Sequence, residues 1–167
     1  MDKVIFLDID GVLNNADLLY AGGIHTIDDG LISILKKIVD ATGAEIVLSS
    51  TWRLEESNRE RVREALARHD MEFIDRTLEI HRKLSQWVER SIEILEWLHR
   101  HPQVKQFAIL DDDPDAGTNG LGEFFFQTTF REGLTEEIAE RAIEHLNKED
   151  TRCDLPRVSS GSEGWLA

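Results

Sequence analysis

The sequence has one cysteine, Cys153, in 167 residues. A single cysteine cannot form an internal disulfide, which excludes a disulfide-stabilised secreted fold and favours the reducing cytoplasm. No apolar run reaches the length that a membrane span requires. Because an apolar run begins at residue 4, we also expect no signal or transit peptide. These missing features predict a cytoplasmic protein that does not bind a membrane.

Basic residues are scarce as well. The 19 lysines and arginines are outnumbered by 33 acidic residues, which gives a net charge of −14. Such a charge opposes a broad, sequence-independent grip on nucleic acid, because that grip depends on neutralising many phosphates. It does not oppose a small basic site around one terminal phosphate. The six histidines form no zinc-ligand pattern with cysteine, so a zinc centre is not expected.

What the sequence does contain is an alternation of short apolar runs and amphipathic stretches. Five runs predict β-strands, at residues 4–7, 44–48, 71–74, 106–110 and 124–129. Helical spacing of apolar residues predicts helices over residues 28–42, 54–69, 84–99 and 136–148.

This alternation predicts a Rossmann-like three-layer α/β/α sandwich with a mainly parallel five-stranded sheet. The stretch between residues 15 and 27 is expected to form a loop or short flap over the strand ends. We expect residues 1–148 to form one domain and residues 149–167 to form a polar tail.

Polar side chains follow three of the predicted strands. They are Asp8 and Asp10 after the first, Ser49 after the second, and Asp111 and Asp112 after the fourth. Parallel strands bring their carboxyl ends to the same edge of a sheet, where ligands bind in open α/β folds. Carboxylates that converge there repel one another unless a cation joins them, and oxygen-only ligands favour magnesium. Magnesium in turn indicates a phosphate as the other ligand.

Each of these features also has a purely structural explanation. The first two aspartates can accept backbone hydrogen bonds in a turn, Ser49 can cap a helix, and residues 111–115 can form a solvated acidic turn. Structural roles alone are much less able to explain why three predicted strands in one chain all end in such polar residues. Their joint occurrence favours a functional site.

These motifs resemble those of the haloacid dehalogenase-like (HAD) phosphohydrolase superfamily. The resemblance rests on residues 7–13 (LDIDGVL), 47–49 (VLS) and 109–112 (ILDD). It implies a magnesium-dependent phosphomonoester hydrolase, an enzyme that works through an aspartyl-phosphate intermediate.

A narrower resemblance is to the small capless HAD domains of RNA-repair-type proteins. It is carried by residues 49–53 (SSTWR), by Arg90 with residues 93–94 and Trp97, and by residues 133–135. It implies that no large cap domain covers the site.

The resemblance implies a role for each polar residue at the strand ends. Asp8 would be the nucleophile, and Asp10 the general acid and then the general base. Ser49, helped by the backbone amide of Ser50, would hold a phosphoryl oxygen. Magnesium would be held by oxygen atoms from two strand ends: Asp8, the backbone carbonyl of Asp10, Asp111, and Asp112 directly or through water.

The superfamily also places a lysine or arginine before the fourth strand, where it neutralises the nucleophile and the phosphate. Arg90 lies at the expected place, and its forked guanidinium suits phosphate. Lys83 and Arg82 are alternatives. Arg90 can also be a solvated helix residue that pairs with Glu93, three positions on. We favour Arg90 as the phosphate-neutralising group.

Without a cap, the pocket would be open to the end of a polymer or to a protein loop. Trp52 can stack on a base or sugar, or lie in the core beneath the following helix. Arg53 and the patch formed by Arg76, Arg82 and Lys83 can contact a nucleic-acid backbone. We therefore expect a phosphorylated substrate, with a nucleic-acid terminus or a nucleotide as candidates. The alternative is a non-catalytic phosphate-binding or protein-interaction module on the same scaffold.

Overall fold

Parallel strands form one five-stranded sheet in the computed structural model, which describes residues 2–21, 26–80 and 88–148. The strands are β1 (Lys3–Leu7), β2 (Glu45–Leu48), β3 (Phe73–Arg76), β4 (Gln106–Asp111) and β5 (Phe125–Gln127). Their order is β3-β2-β1-β4-β5, and every neighbouring pair is parallel. The chain therefore moves outward from β1 and returns to its other side at β4. In open α/β sheets, ligands bind beside such a reversal.

Helices connect the strands. They are α1 (Ala16–Tyr20), α2 (Asp29–Thr42), α3 (Glu56–Ala67), α4 (Arg90–Arg100) and α5 (Glu136–Leu146). Short 3₁₀ turns span Thr51–Leu54, Pro114–Gly117 and Gly122–Phe124. No described helix is both long enough and apolar enough to cross a membrane.

Alternate residues of β1 pack on the two faces of the sheet. Ile5 and Leu7 belong to a core shared with α2, α3 and α5, whereas Val4 and Phe6 belong to a core shared with α4. All four side chains are fully buried, as expected for a central parallel strand covered on both faces. The three-layer α/β/α sandwich predicted from the sequence is therefore confirmed.

Several element boundaries differ from the predictions. The stretch after β1 contains the short helix α1 rather than only a loop. The helix predicted to begin at residue 84 begins at Arg90, since Glu89 is extended with φ −60° and ψ 144°; residues 84–87 lie outside the described part. β5 ends at Gln127 rather than near residue 129. The backbone N–H of Thr128 still donates to the carbonyl of Asp111 at 3.0 Å, and its hydroxyl donates to the carbonyl of Gly11 at 2.6 Å.

No inserted domain covers the carboxyl edge of the sheet within the described ranges. The sheet's strand ends and the turns that follow them form this edge. The site is built from those turns.

Candidate active site

The turn after β1 separates the two aspartates of the first motif. The backbone N–H of Asp8 still donates to Leu110 at 2.9 Å, as a continuation of the sheet, and only 5% of the residue is exposed. Immediately after Asp10, the chain reverses at Gly11, which has φ +70°. A Cβ atom at Gly11 would lie 2.5 Å from the carboxyl group of Asp112. Glycine is therefore required, because the turn passes directly against the end of β4.

Asp10 is held by two neutral donors. The indole Nε1 of Trp52 donates to Asp10 Oδ2 at 2.9 Å, and the amide Nδ2 of Asn14 donates to Asp10 Oδ1 at 2.8 Å. Asn14 in turn accepts from the backbone N–H of Gly11 at 3.0 Å. Trp52 is 4% exposed, so it lies in the core, and its hydrogen bond orients the carboxylate of Asp10.

Three other aspartates form a compact acidic group: Asp8, Asp111 and Asp112. One carboxylate oxygen from each lies within 4.8 Å of the other two. Asp111 is fully buried, and its Oδ2 atom has no hydrogen-bond partner among the described residues. Its other oxygen accepts from the backbone N–H of Asp113 at 2.9 Å. An all-oxygen set with a buried, unpartnered carboxylate oxygen fits a hard divalent cation such as Mg²⁺.

The pKa values of the acidic group are also consistent with a site for a cation. Burial, and then the charge of Asp8, raise the pKa of Asp111 to about 8, although Arg90 opposes the shift. Burial and the charge of Asp8 raise the pKa of Asp112 to about 6. Burial also raises the pKa of Asp8, against the lowering effects of Arg90 and the Ser50 side chain. A cation bound among the three carboxylates would therefore favour their ionised forms.

Arg90, the first residue of α4, reaches across this group. Its Nη1 lies 3.5 Å from Asp8 Oδ1, and its Nε lies 3.7 Å from Asp111 Oδ2. Nη1 also donates to the backbone carbonyl of Ser49. The backbone N–H of Arg90 donates to Asp115 Oδ2 at 3.3 Å, which fixes the start of the helix on the loop after β4. The start of α4 therefore presents the guanidinium to the acidic group.

The two serines after β2 have different environments. Ser49 is fully buried, and its hydroxyl oxygen has no hydrogen-bond partner among the described residues. Buried hydroxyl groups normally have a partner, so a ligand oxygen is the natural one here. The hydroxyl of Ser50 accepts from the backbone N–H of Trp52 at 3.2 Å and caps the 3₁₀ turn.

Arg53 lies inside the protein rather than at the open edge, with 1% of its surface exposed. Its guanidinium forms a buried ion pair with Glu93 and donates to backbone carbonyls. This placement gives no support to the expected substrate contact of Arg53. It also shows that Glu93, considered above as the helical partner of Arg90, has Arg53 as its ion-pair partner. Lys83 and Arg82 lie outside the described residues.

Sequence reasoning missed two residues of the site. Asn14 orients Asp10 from only four positions away, and its proximity in the motif was the available signal. Asp115 holds the start of α4 from 25 positions away. No local pattern connects Asp115 to Arg90, because their contact depends on how α4 packs against the loop after β4.

Comparison with known proteins gives one finding. A family model described as "HAD domain in Swiss Army Knife RNA repair proteins" matches residues 4–139. The match includes all five strands except Lys3, the first residue of β1, and it includes the acidic group, Ser49 and Arg90. No curated protein and no solved structure matches the chain significantly.

Proposed function

The chain belongs to the family of HAD domains found in Swiss Army Knife RNA repair proteins, and on that premise we propose that it is a magnesium-dependent phosphomonoester hydrolase. One observation supports this most strongly. Arg90 lies within 3.5 Å of Asp8 and 3.7 Å of Asp111, beside carboxylate oxygens that converge within 4.8 Å. A buried cation facing converging carboxylates is what positioning and neutralising a phosphoryl group requires.

In the proposed first step, a carboxylate oxygen of Asp8 attacks phosphorus. A bond forms between Asp8 and phosphorus, the ester bond to the leaving oxygen breaks, and an aspartyl-phosphate results. Arg90 neutralises charge on both the nucleophile and the phosphoryl oxygens. The unpartnered hydroxyl of Ser49 and the backbone amide of Ser50 hold one of these oxygens.

Asp10 supplies the proton transfers in this proposal. It protonates the leaving oxygen in the first step and then takes a proton from the water that attacks the aspartyl-phosphate. The second step releases inorganic phosphate and restores Asp8. Trp52 and Asn14 support this role, because their hydrogen bonds hold the carboxylate of Asp10 in one orientation.

Magnesium would be held by Asp8, Asp111 and Asp112, together with the backbone carbonyl of Asp10. When bound, the ion neutralises the carboxylates and the phosphoryl oxygens. The side chain of Asp10 stays outside this ligand set, since both of its oxygens already accept hydrogen bonds.

For the substrate we propose the phosphorylated end of a nucleic acid, or a nucleotide. The printed family description names RNA repair. The carboxyl edge carries no inserted domain in the described residues, so a polymer end can approach it. The net charge of −14 opposes extended contact with a phosphate backbone, which favours recognition of one terminal phosphate.

The test is phosphate release from a panel of nucleotides, 3′- and 5′-phosphorylated oligonucleotides, sugar phosphates and phosphopeptides, with magnesium. We expect turnover that is highest on one of the nucleic-acid classes and abolished in Asp8→Asn. Asp40→Asn is the matched control, since Asp40 is an exposed aspartate of α2. A pure protein that binds magnesium and phosphate but turns over nothing would contradict the proposal and identify the non-catalytic module instead.

A further inference from the structure

The guanidinium of Arg53 has all five of its N–H donors matched by acceptors. Nε donates to Thr77 O at 3.2 Å, and Nη2 donates to Leu78 O at 3.1 Å. Nη1 donates to the carbonyls of Ser49 and Ser50, at 3.0 and 2.8 Å. The remaining donor on Nη2 completes the ion pair with Glu93.

These acceptors come from three separate parts of the chain. Ser49 and Ser50 follow β2, Thr77 and Leu78 follow β3, and Glu93 lies in α4. The second carboxylate oxygen of Glu93 also accepts from the backbone N–H of Ile80 at 3.1 Å. One buried arginine thus fixes two strand ends and a helix relative to one another.

Two of the parts held in this way carry groups of the proposed mechanism. Glu93 lies one helical turn after Arg90 in α4, so its ion pair limits rotation of the helix that presents Arg90. The carbonyl of Ser49 accepts from both arginines. Any shift of Arg53 is therefore transmitted to the Ser49 hydroxyl and to the guanidinium of Arg90.

We infer that Arg53 and Glu93 form a positioning pair, which sets the distance between the phosphate-binding hydroxyl of Ser49 and the neutralising guanidinium of Arg90. The inference rests on the proposed function of the site. A role in stability alone does not explain the arrangement, because a buried ion pair contributes little more to stability than a well-packed apolar pair. The five donors of the arginine fork are what hold the three parts of the chain together. Lysine has only three donors and cannot bind the same five acceptors.

Arg53→Lys tests the inference, because it keeps the charge and removes the fork. We expect kcat to fall about 10- to 100-fold, as misplacement of a catalytic group by about 1 Å does, and the affinity for inorganic phosphate to fall about tenfold. Magnesium affinity should stay unchanged, because the acidic group does not contact Arg53. Arg63→Lys is the matched control: its ion pairs with Glu56 and Glu60 lie on the surface of α3, and it should keep wild-type kcat.

Repeating the measurement in the Ser49→Ala variant distinguishes a positioning role of Arg53 from a general loss of structure. If Arg53 acts through Ser49, Arg53→Lys should lower kcat by less than about twofold when Ser49→Ala is already present. An equal loss of kcat in both backgrounds would overturn the inference. Unchanged kcat in folded Arg53→Lys would overturn it as well.

If Arg53→Lys does not fold, kcat can be measured in the double variant Arg53→Met/Glu93→Met. Replacing both members of a buried ion pair by apolar residues is well tolerated. We expect a folded protein by circular dichroism with the same loss of kcat. Wild-type kcat in this variant would overturn the inference.

Binding of inorganic phosphate in the presence of magnesium, measured by calorimetry, distinguishes the inference from the proposed function. A wild-type protein without turnover would refute the proposed hydrolase. If that protein still bound phosphate about tenfold more tightly than Arg53→Lys, the positioning pair would stand. Equal phosphate affinity in the two proteins would overturn it.

Discussion

Arg90 and Arg53 donate to the same carbonyl oxygen, that of Ser49, but they lie in regions of opposite character. Around Arg90, the acidic group and the hydroxyl of Ser49 leave buried oxygen atoms without hydrogen-bond partners. Around Arg53, every guanidinium donor is matched. A buried carboxylate or hydroxyl oxygen without a partner can still bind a ligand, whereas a guanidinium whose donors are all matched can only hold its surroundings in place.

The two regions also differ in how well their buried charges are compensated. Three carboxylates share a buried site, and burial, followed by the charge of Asp8, raises the pKa of Asp111 to about 8 and that of Asp112 to about 6. The guanidinium of Arg53 is instead paired directly with one carboxylate, that of Glu93. A bound cation would relieve the imbalance in the acidic group, which is the basis for the magnesium and phosphate site proposed here.

The largest effect that separates the two regions is expected from Arg90→Ala. Turnover should fall about 10³-fold, because the charge that neutralises the phosphoryl group is lost. Magnesium affinity should be unchanged or higher, since a positive charge beside the acidic group has been removed. Steady-state kinetics and calorimetry measure the two effects. Arg100→Ala, which removes an exposed arginine from the last turn of the same helix, should change neither.

Magnesium is expected to stabilise the protein in a pH-dependent way. The pKa of about 8 for Asp111 and about 6 for Asp112 lie above the ordinary value of 3.8. Between about pH 4 and pH 8 the metal-free folded protein therefore holds more protons than the unfolded chain, and its stability falls as pH rises. At a free concentration 100 times its Kd, magnesium adds about 2.7 kcal/mol to the free energy of unfolding.

Thermal unfolding in EDTA and in a fixed concentration of magnesium tests this pH dependence. The stabilisation should be larger at pH 8 than at pH 6, because fewer protons compete with the ion at the higher pH. It should disappear in Asp111→Asn/Asp112→Asn. Equal stabilisation at the two pH values in the wild type would show that the ion binds elsewhere.

A smaller effect is expected from Trp52→Phe, which removes the indole donor to Asp10. Turnover should fall about tenfold, because the carboxylate loses one of the two bonds that orient it. Trp97→Phe is a matched control, since Trp97 is also buried and its indole Nε1 donates to Asp75 at 2.7 Å, away from the acidic group. Both variants should lose about 1–2 kcal/mol of stability, and only Trp52→Phe should lose activity. Equal turnover in the two variants would contradict an orienting role for Trp52.

The acidic group could be predicted from the sequence because it depends on the sheet alone. Once the apolar runs are assigned to parallel strands, Asp8, Ser49 and Asp111 must meet at one edge. The start of α4 could not be predicted so well, because Glu89 is extended and its carboxylate accepts from Thr118 and Asn119, which are 29 and 30 positions away. As a result, the sequence placed Arg90 in the middle of a helix, whereas it is the first helical residue.

The environments of Trp52 and Arg53 depend on contacts between distant segments. Trp52 contacts Asp10 across 42 positions, and Arg53 contacts Glu93 across 40. An arginine next to a hydroxyl cluster at a strand end has the same local pattern whether it faces a ligand or the core. Only the packing of α4 against the ends of β2 and β3 distinguishes these two cases.

The central claim is that the acidic group contains a nucleophile, Asp8. The most direct test is to trap the phosphate on the protein. With p-nitrophenyl phosphate, whose leaving group needs no proton, Asp10→Asn should slow hydrolysis of the intermediate more than its formation. A protein mixed with magnesium and this substrate and then quenched in acid should therefore retain phosphate. Mass spectrometry of the proteolytic peptides should place that phosphate on Asp8. Turnover by the wild type without any phosphate on Asp8 in the trapped variant, or with phosphate on another residue, would contradict the proposed mechanism.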